Sequence, residues 1–269
     1  MNKRLGRVAL LALLVAMVAM TSLAQDMQGE YTLQGRLDPD KAREIAASTD
    51  DPIVAADALD DAWLNEEALA VLEASGRTDA DVLWRMSRSR VNIGENFEDE
   101  NDAEELYVTA MAEAEKAVEL DPKNADAQLQ VAVCAGRVAL VKGIFKASGL
   151  AKKTYYHAHL AKTLSDSIPV AYYILGSAHM KIMEKPGLIR SAAGLGFADD
   201  DSIAPYFEKA LEISHGNMIQ CHLEYARHMI EEKDKAKAKE LLTSALELPL
   251  RDEQDTKYRK EVEELLSTL

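Results

Sequence analysis

The chain has 269 residues, with 46 acidic against 31 basic side chains and a formal net charge of −15. That balance disfavours nucleic acid and anionic membrane surfaces as nonspecific partners. Glycine (13) and proline (7) are few. They fall between the apolar-periodic stretches, so the counts favour helix throughout and leave no strand signal.

In chain order, Asn2 to Arg7 is a basic head and Val8 to Met20 an unbroken apolar run. Small residues follow at Ser22 to Ala24. This pattern predicts a secretory leader over 1–24, cleaved after Ala24, and hence a periplasmic protein that is not integral to the membrane. The apolar run is shorter than the ~20 residues a bilayer span needs. Loss of Lys3, Arg4 and Arg7 with the leader takes the formal charge to −18. Residues 25–50 are expected to be a leader segment and a short helix. That helix opens at Asp38-Pro39 and runs to about Ser48, with aspartate as cap and proline in the first turn.

From 51 to 269 one pattern returns. Ala110, Ala114 and Ala117 form a narrow helix face that ends at Leu120-Asp121-Pro122. Small residues three and four apart let a neighbouring helix approach closely, and Asp-Pro stops the helix. Degraded copies occur at 66–75, 156–167, 206–214 and 238–249. Their last small residues are Ser75, Ala117, Ala161, Ala210 and Ala245, spaced 42, 44, 49 and 35 apart. The period is roughly 34 with insertions, the tetratricopeptide length. The predicted fold is therefore an all-α, tetratricopeptide-like helical-hairpin solenoid of about five pairs, closed by a C-terminal capping helix over about 253–267. Asn101 or Asp102 is expected to cap the helix after the acidic stretch 95–105. That stretch lacks the glycine and spacing of an EF-hand. Two apolar insertions, at 142–153 and 185–201, interrupt the third and fourth pairs. Cys134 and Cys221 lie two repeats apart, too far to bridge, and are expected to be buried thiols.

Residues 81–269 resemble the regulator of microtubule dynamics family. The resemblance is carried by Leu83-Trp84-Arg85, Ala117 to Pro122, the insertion Gly187 to Phe197, and the ending Ala245 to Pro249 with Asp252 to Asp255. It implies an all-helical binding and tethering domain without a catalytic motif. A weaker similarity, at His222 to Arg227, is to the periplasmic repeat proteins that accompany TRAP transporters, the TatT type. That similarity makes a transporter-associated accessory protein an alternative role.

No enzyme signal stands out. Gly194-Leu195-Gly196 lacks a third glycine and follows no strand. His222 and His228 with Cys221 fall short of the ligand number that zinc needs, so no metal and no cofactor is expected. Binding is the better class, with a protein or peptide partner. The first helix of each pair should line a concave groove, which places Arg85, Ser89, Leu129, Val133, Tyr173, Ser177, Met180, Leu223 and Arg227 there. In that reading the guanidiniums meet partner carboxylates. The alternative is a carrier of a lipid or another hydrophobic anion. Its pocket would be walled by the two insertions, with Lys142, Phe145, Lys146, Leu188, Arg190 and Phe197 as the candidate contacts.

Overall fold

The computed structural model of the chain describes residues 35–99, 101–142 and 144–269, except for the side chains of residues 142–146. The leader 1–24 and the segment that follows it lie outside the described residues. Among the described residues there are thirteen α-helices and no β-strand. They are α1 (Pro39–Ser48), α2 (Pro52–Asp60), α3 (Asn65–Ala74), α4 (Ala80–Glu95), α5 (Glu104–Leu120), α6 (Ala125–Lys142) and α7 (Ile144–Leu164). Then come α8 (Pro169–Met183), α9 (Gly187–Ala192), α10 (Ile203–Ile213), α11 (Ile219–Glu231), α12 (Lys235–Glu247) and α13 (Asp255–Leu266).

Five hairpins stack in series: α2 with α3, α4 with α5, α6 with α7, α8 with α10, and α11 with α12. The first helices also touch their successors, α2 to α4 to α6 to α8 to α11, and so form the inner layer. The alanine seam is where the repeat places it. Ala117, Ala161, Ala210 and Ala245 are all fully buried. Ser75 instead ends α3, where its hydroxyl donates to the Leu72 carbonyl, and Ala68 and Leu72 take over the packing. Two glycines allow unusually close helix approach. A Cβ on Gly94 would meet the Tyr107 ring at 2.7 Å, and one on Gly176 would meet Phe207 at 3.1 Å.

The start signals act as read. Asp38 accepts from Asp40 and Lys41, Asp51 from Ile53, and Asp79 from Val82, each satisfying orphan amides of the first turn. The cap of α5 differs from expectation. Neither Asn101 nor Asp102 caps it by side chain. Ala103 is the cap residue, and the Asn101 carbonyl accepts from the Glu104 amide. From Ile144 onward the insertion at 142–153 is part of α7, a helix of 21 residues. Cys134 and Cys221 are buried free thiols; burial pushes the Cys134 thiol up to about 12.

Candidate functional site

The C-terminal helix does more than end the stack. It packs on α11 and α12, and the segment before it, 249–254, crosses back to the first hairpin. Four polar contacts fasten it, two to the first hairpin and two to Asn96 at the end of α4. The Trp63 indole donates to the Arg251 carbonyl (3.3 Å), and the Asn65 amide donates to Glu253 (2.7 Å). The Asn96 amide also donates to Glu253 (2.8 Å), and Gln254 donates to the Asn96 side chain (2.8 Å). Asp255 shapes the crossing by accepting from the amides of Arg251 and Asp252. Trp63 holds φ 61°, a left-handed conformation that is costly for a bulky residue. Its indole faces Arg251 and lies under the Arg36 guanidinium, 4.9 Å from the ring centroid.

Between the crossing segment and the inner helices lies a cavity of about 200 Å3. Asp60, Asp61, Glu95, Asp252 and Glu253 contribute five carboxylates to its wall; Asn65, Asn92 and Arg251 also line it. Burial is the main cause of every resolved shift here. It lifts Asp60 to about 6 and raises Asp61, Glu95 and Glu253. Arg88, 3.2 Å from Asp60, and Arg137, paired with Glu95, offset only part of that cost. Desolvated carboxylates with too few internal cations favour a cationic guest.

The residues expected to line an open groove fare unevenly. Ser89, Leu129, Met180 and Leu223 are buried in the helix seams, so they are packing residues and not groove surface. Val133, Tyr173 and Ser177 are half-buried. Arg85 and Arg227 have internal partners. Arg85 is held bidentately by Asp57 at 2.8 and 2.9 Å and lies over the Trp84 ring. Burial pushes the Asp57 carboxyl up, but Arg85 and Arg88 together hold it below its ordinary value. Arg227 pairs with Glu224 and, at 2.6 Å, with Glu261 of α13. The guanidiniums thus fasten helices together and are not presented to a partner.

Of the candidate contacts at the insertions, the described ones, Leu188, Arg190 and Phe197, take different surroundings. Leu195 is buried, and Phe197 packs 4.2 Å from the Tyr155 ring, over α7 and α8. Arg190 lies against Met183, whereas Leu188 is 88% exposed. Apolar residues of one insertion therefore point both inward and outward. The side chains of Lys142, Phe145 and Lys146 lie outside the described residues. His222 and Cys221 do not converge on His228 either. His222 Nε2 bonds the Gly216 carbonyl at 2.9 Å, and Cys221 lies against the Phe207 carbonyl. Sequence reasoning missed the acidic cavity because its two walls are about two-thirds of the chain apart.

The fold and this self-closed inner face define a tetratricopeptide-like scaffold, an architecture whose inner surface serves protein binding. A thermophilic tetratricopeptide protein of Thermus thermophilus superposes with a TM-score of 0.57 over 80% of this chain and 97% of its own, at 13% identity. Human IFIT1, in its dimer with PPP-AAAA, gives 0.57 over 81% of this chain and 45% of its own, at 14% identity. The chain belongs to the regulator of microtubule dynamics protein 1-3 family, whose model matches residues 53–269. Regulator of microtubule dynamics protein 3 of Bos taurus is 28% identical over 193 residues, and that of Rattus norvegicus 26% over 202. Each alignment takes in 69% of this chain and 40% of the relative's length. The chain thus matches less than half of those proteins.

Proposed function

We propose that this chain is a non-catalytic periplasmic binding module. It recognises a protein or peptide partner through a cationic side chain seated in the acidic cavity between the first hairpin and the C-terminal crossing segment. The carrying observation is the gathering of five carboxyls around that cavity, of which Asp60, Glu95 and Glu253 are half-buried and Asp60 is lifted to about 6. A lysine or arginine head would relieve the mutual repulsion of the carboxylates and replace the missing counter-charge. The export reading rests on the basic and apolar pattern of residues 2–24. Among the described residues, no helix is long and apolar enough to cross a membrane.

Two measurements test the reading. Calorimetric titration with a lysine-rich peptide and with a glutamate-rich peptide should give binding only for the first. Binding should release protons near pH 6 as Asp60 ionises, and Asp60→Asn with Asp61→Asn should weaken it. Equal binding of both peptides, or no loss in the double variant, overturns the cationic-guest reading. The address is checked by cell fractionation and the mass of the mature N-terminus. A periplasmic chain starting at Gln25 supports export, and a cytoplasmic chain starting at Met1 overturns it.

A further inference from the structure

Apart from the acidic cavity, the end of the second insertion meets the C-terminal end of α11. His228 and Glu232 stand four residues apart on that helix, one turn above the other and on one face. Asp200 reaches the same point from the loop ahead of α10. One ring nitrogen of His228 and one carboxylate oxygen from each of Asp200 and Glu232 lie within 4.8 Å of one another. His228 is only 4% exposed, yet among the described residues its ring makes no hydrogen bond and no ion pair. The carboxylates that face this ring are too distant for a direct hydrogen bond and close enough for a bridging ion.

We infer that Asp200, His228 and Glu232 form a binding site for a divalent transition-metal ion, zinc being the best chemical match. An imidazole nitrogen with two carboxylates is a borderline donor set that suits zinc better than magnesium or calcium. Around zinc the donor atoms would stand about 3.3 Å apart, given metal–ligand distances near 2.0–2.2 Å. The needed contraction falls on Asp200 and Glu232, whose exposed side chains can change rotamer, while the buried imidazole stays fixed. The helix end adds to the attraction. Glu232 is the C-terminal cap of α11, where the unpaired carbonyls carry the negative end of the helix dipole. Three protein donors leave a coordination position for water or for a donor from a partner. A bound ion would tie the loop that ends the insertion to the fifth hairpin, adding to the Tyr225–Glu208 hydrogen bond and the helix packing that already join these two repeats.

The test uses the full mature chain, stripped with a chelator and free of any affinity tag. Zinc chloride is titrated by calorimetry, and cobalt(II) is added in parallel to read its visible absorption. One equivalent of zinc should bind, the cobalt complex should show the intense bands of a four- or five-coordinate site, and zinc should raise the thermal midpoint. Glu232→Gln keeps an exposed side chain of the same size and should leave the metal-free midpoint unchanged. It should nevertheless weaken zinc at least about tenfold, the lower end of what loss of even an outer-shell partner gives. His228→Gln should weaken it further. Absence of stoichiometric zinc binding in the parent chain overturns the assignment. So does a Glu232→Gln variant that is folded and binds zinc as the parent does, even if His228→Gln fails to fold.

Discussion

From α2 to α6 inner and outer helices alike are stitched by arginine–carboxylate pairs. Asp57 takes Arg85 and Arg88, Glu113 and Glu73 take Arg90, and Glu95 takes Arg137. From α8 to α13 the same hairpin geometry is filled mainly with apolar side chains, alongside the Arg227–Glu261 pair. Phe207, Ile203, Leu223, Leu242 and Val262 form one continuous cluster, with Tyr173, Tyr225 and Tyr258 against it. The first half presents smaller, separate apolar clusters built largely on alanine. A repeat can therefore be held by directional charge or by volume. The half held by charge also supplies three of the five carboxylates of the acidic cavity, Asp60, Asp61 and Glu95.

The largest expected effect is in the apolar half. Phe207→Ala empties a fully buried ring and should cost about 3–5 kcal/mol in denaturant unfolding. A loss under about 1 kcal/mol would mean that the cluster does not carry that half. Next, Arg137→Met strands the buried Glu95 carboxylate and should cost about 3 kcal/mol. Adding Glu95→Gln should recover most of it, whereas an additive double variant would deny the pairing.

Asp60 works in the opposite direction. It titrates at about 6 in the fold against an ordinary 3.8. Its favourable contribution is complete below about pH 4 and is lost as pH rises through 6. Asp60→Asn should therefore raise stability at pH 7 by about 2 kcal/mol and flatten the pH profile between about 4 and 6. Thermal melts across that window decide it, and an unchanged slope would show that Arg88 already neutralises the group. The smallest effect belongs to the junction between the halves. Glu253→Ala removes the hydrogen bonds from Asn65 and Asn96 and should cost about 1 kcal/mol. Its clearer readout is faster hydrogen exchange at residues 63–65, with exchange in α10 and α11 unchanged.

Much of the fold was legible because it is local. Asp38, Asp51 and Asp79 announce helices that start within one residue, and the alanine marks fix the seam. The inner-face reading went astray where the deciding partner was remote. Arg85 looks available until Asp57, 28 residues earlier, is seen to hold it. Arg227 looks available until Glu261 arrives from α13. Leu129 and Leu223 sit on the predicted helices, but periodicity alone does not say whether a stripe faces the groove or the next helix. Asp200 offers no motif with His228, since the loop that carries it must first fold over α8. The acidic cavity depends on residues 60 and 253 meeting, and no short-range pattern encodes that.

The contact between Asn65 and Glu253 joins positions 188 residues apart. An open stack of repeats has two free ends and can lose them one at a time, each loss costing only a nearest-neighbour interface. This chain has joined its first hairpin to the segment ahead of its final helix, so the first and fifth hairpins are held by that junction as well as by their neighbours. Native-state exchange should accordingly show the terminal hairpins opening together in one cooperative event. Late closure of so long a loop should be the slow step of folding.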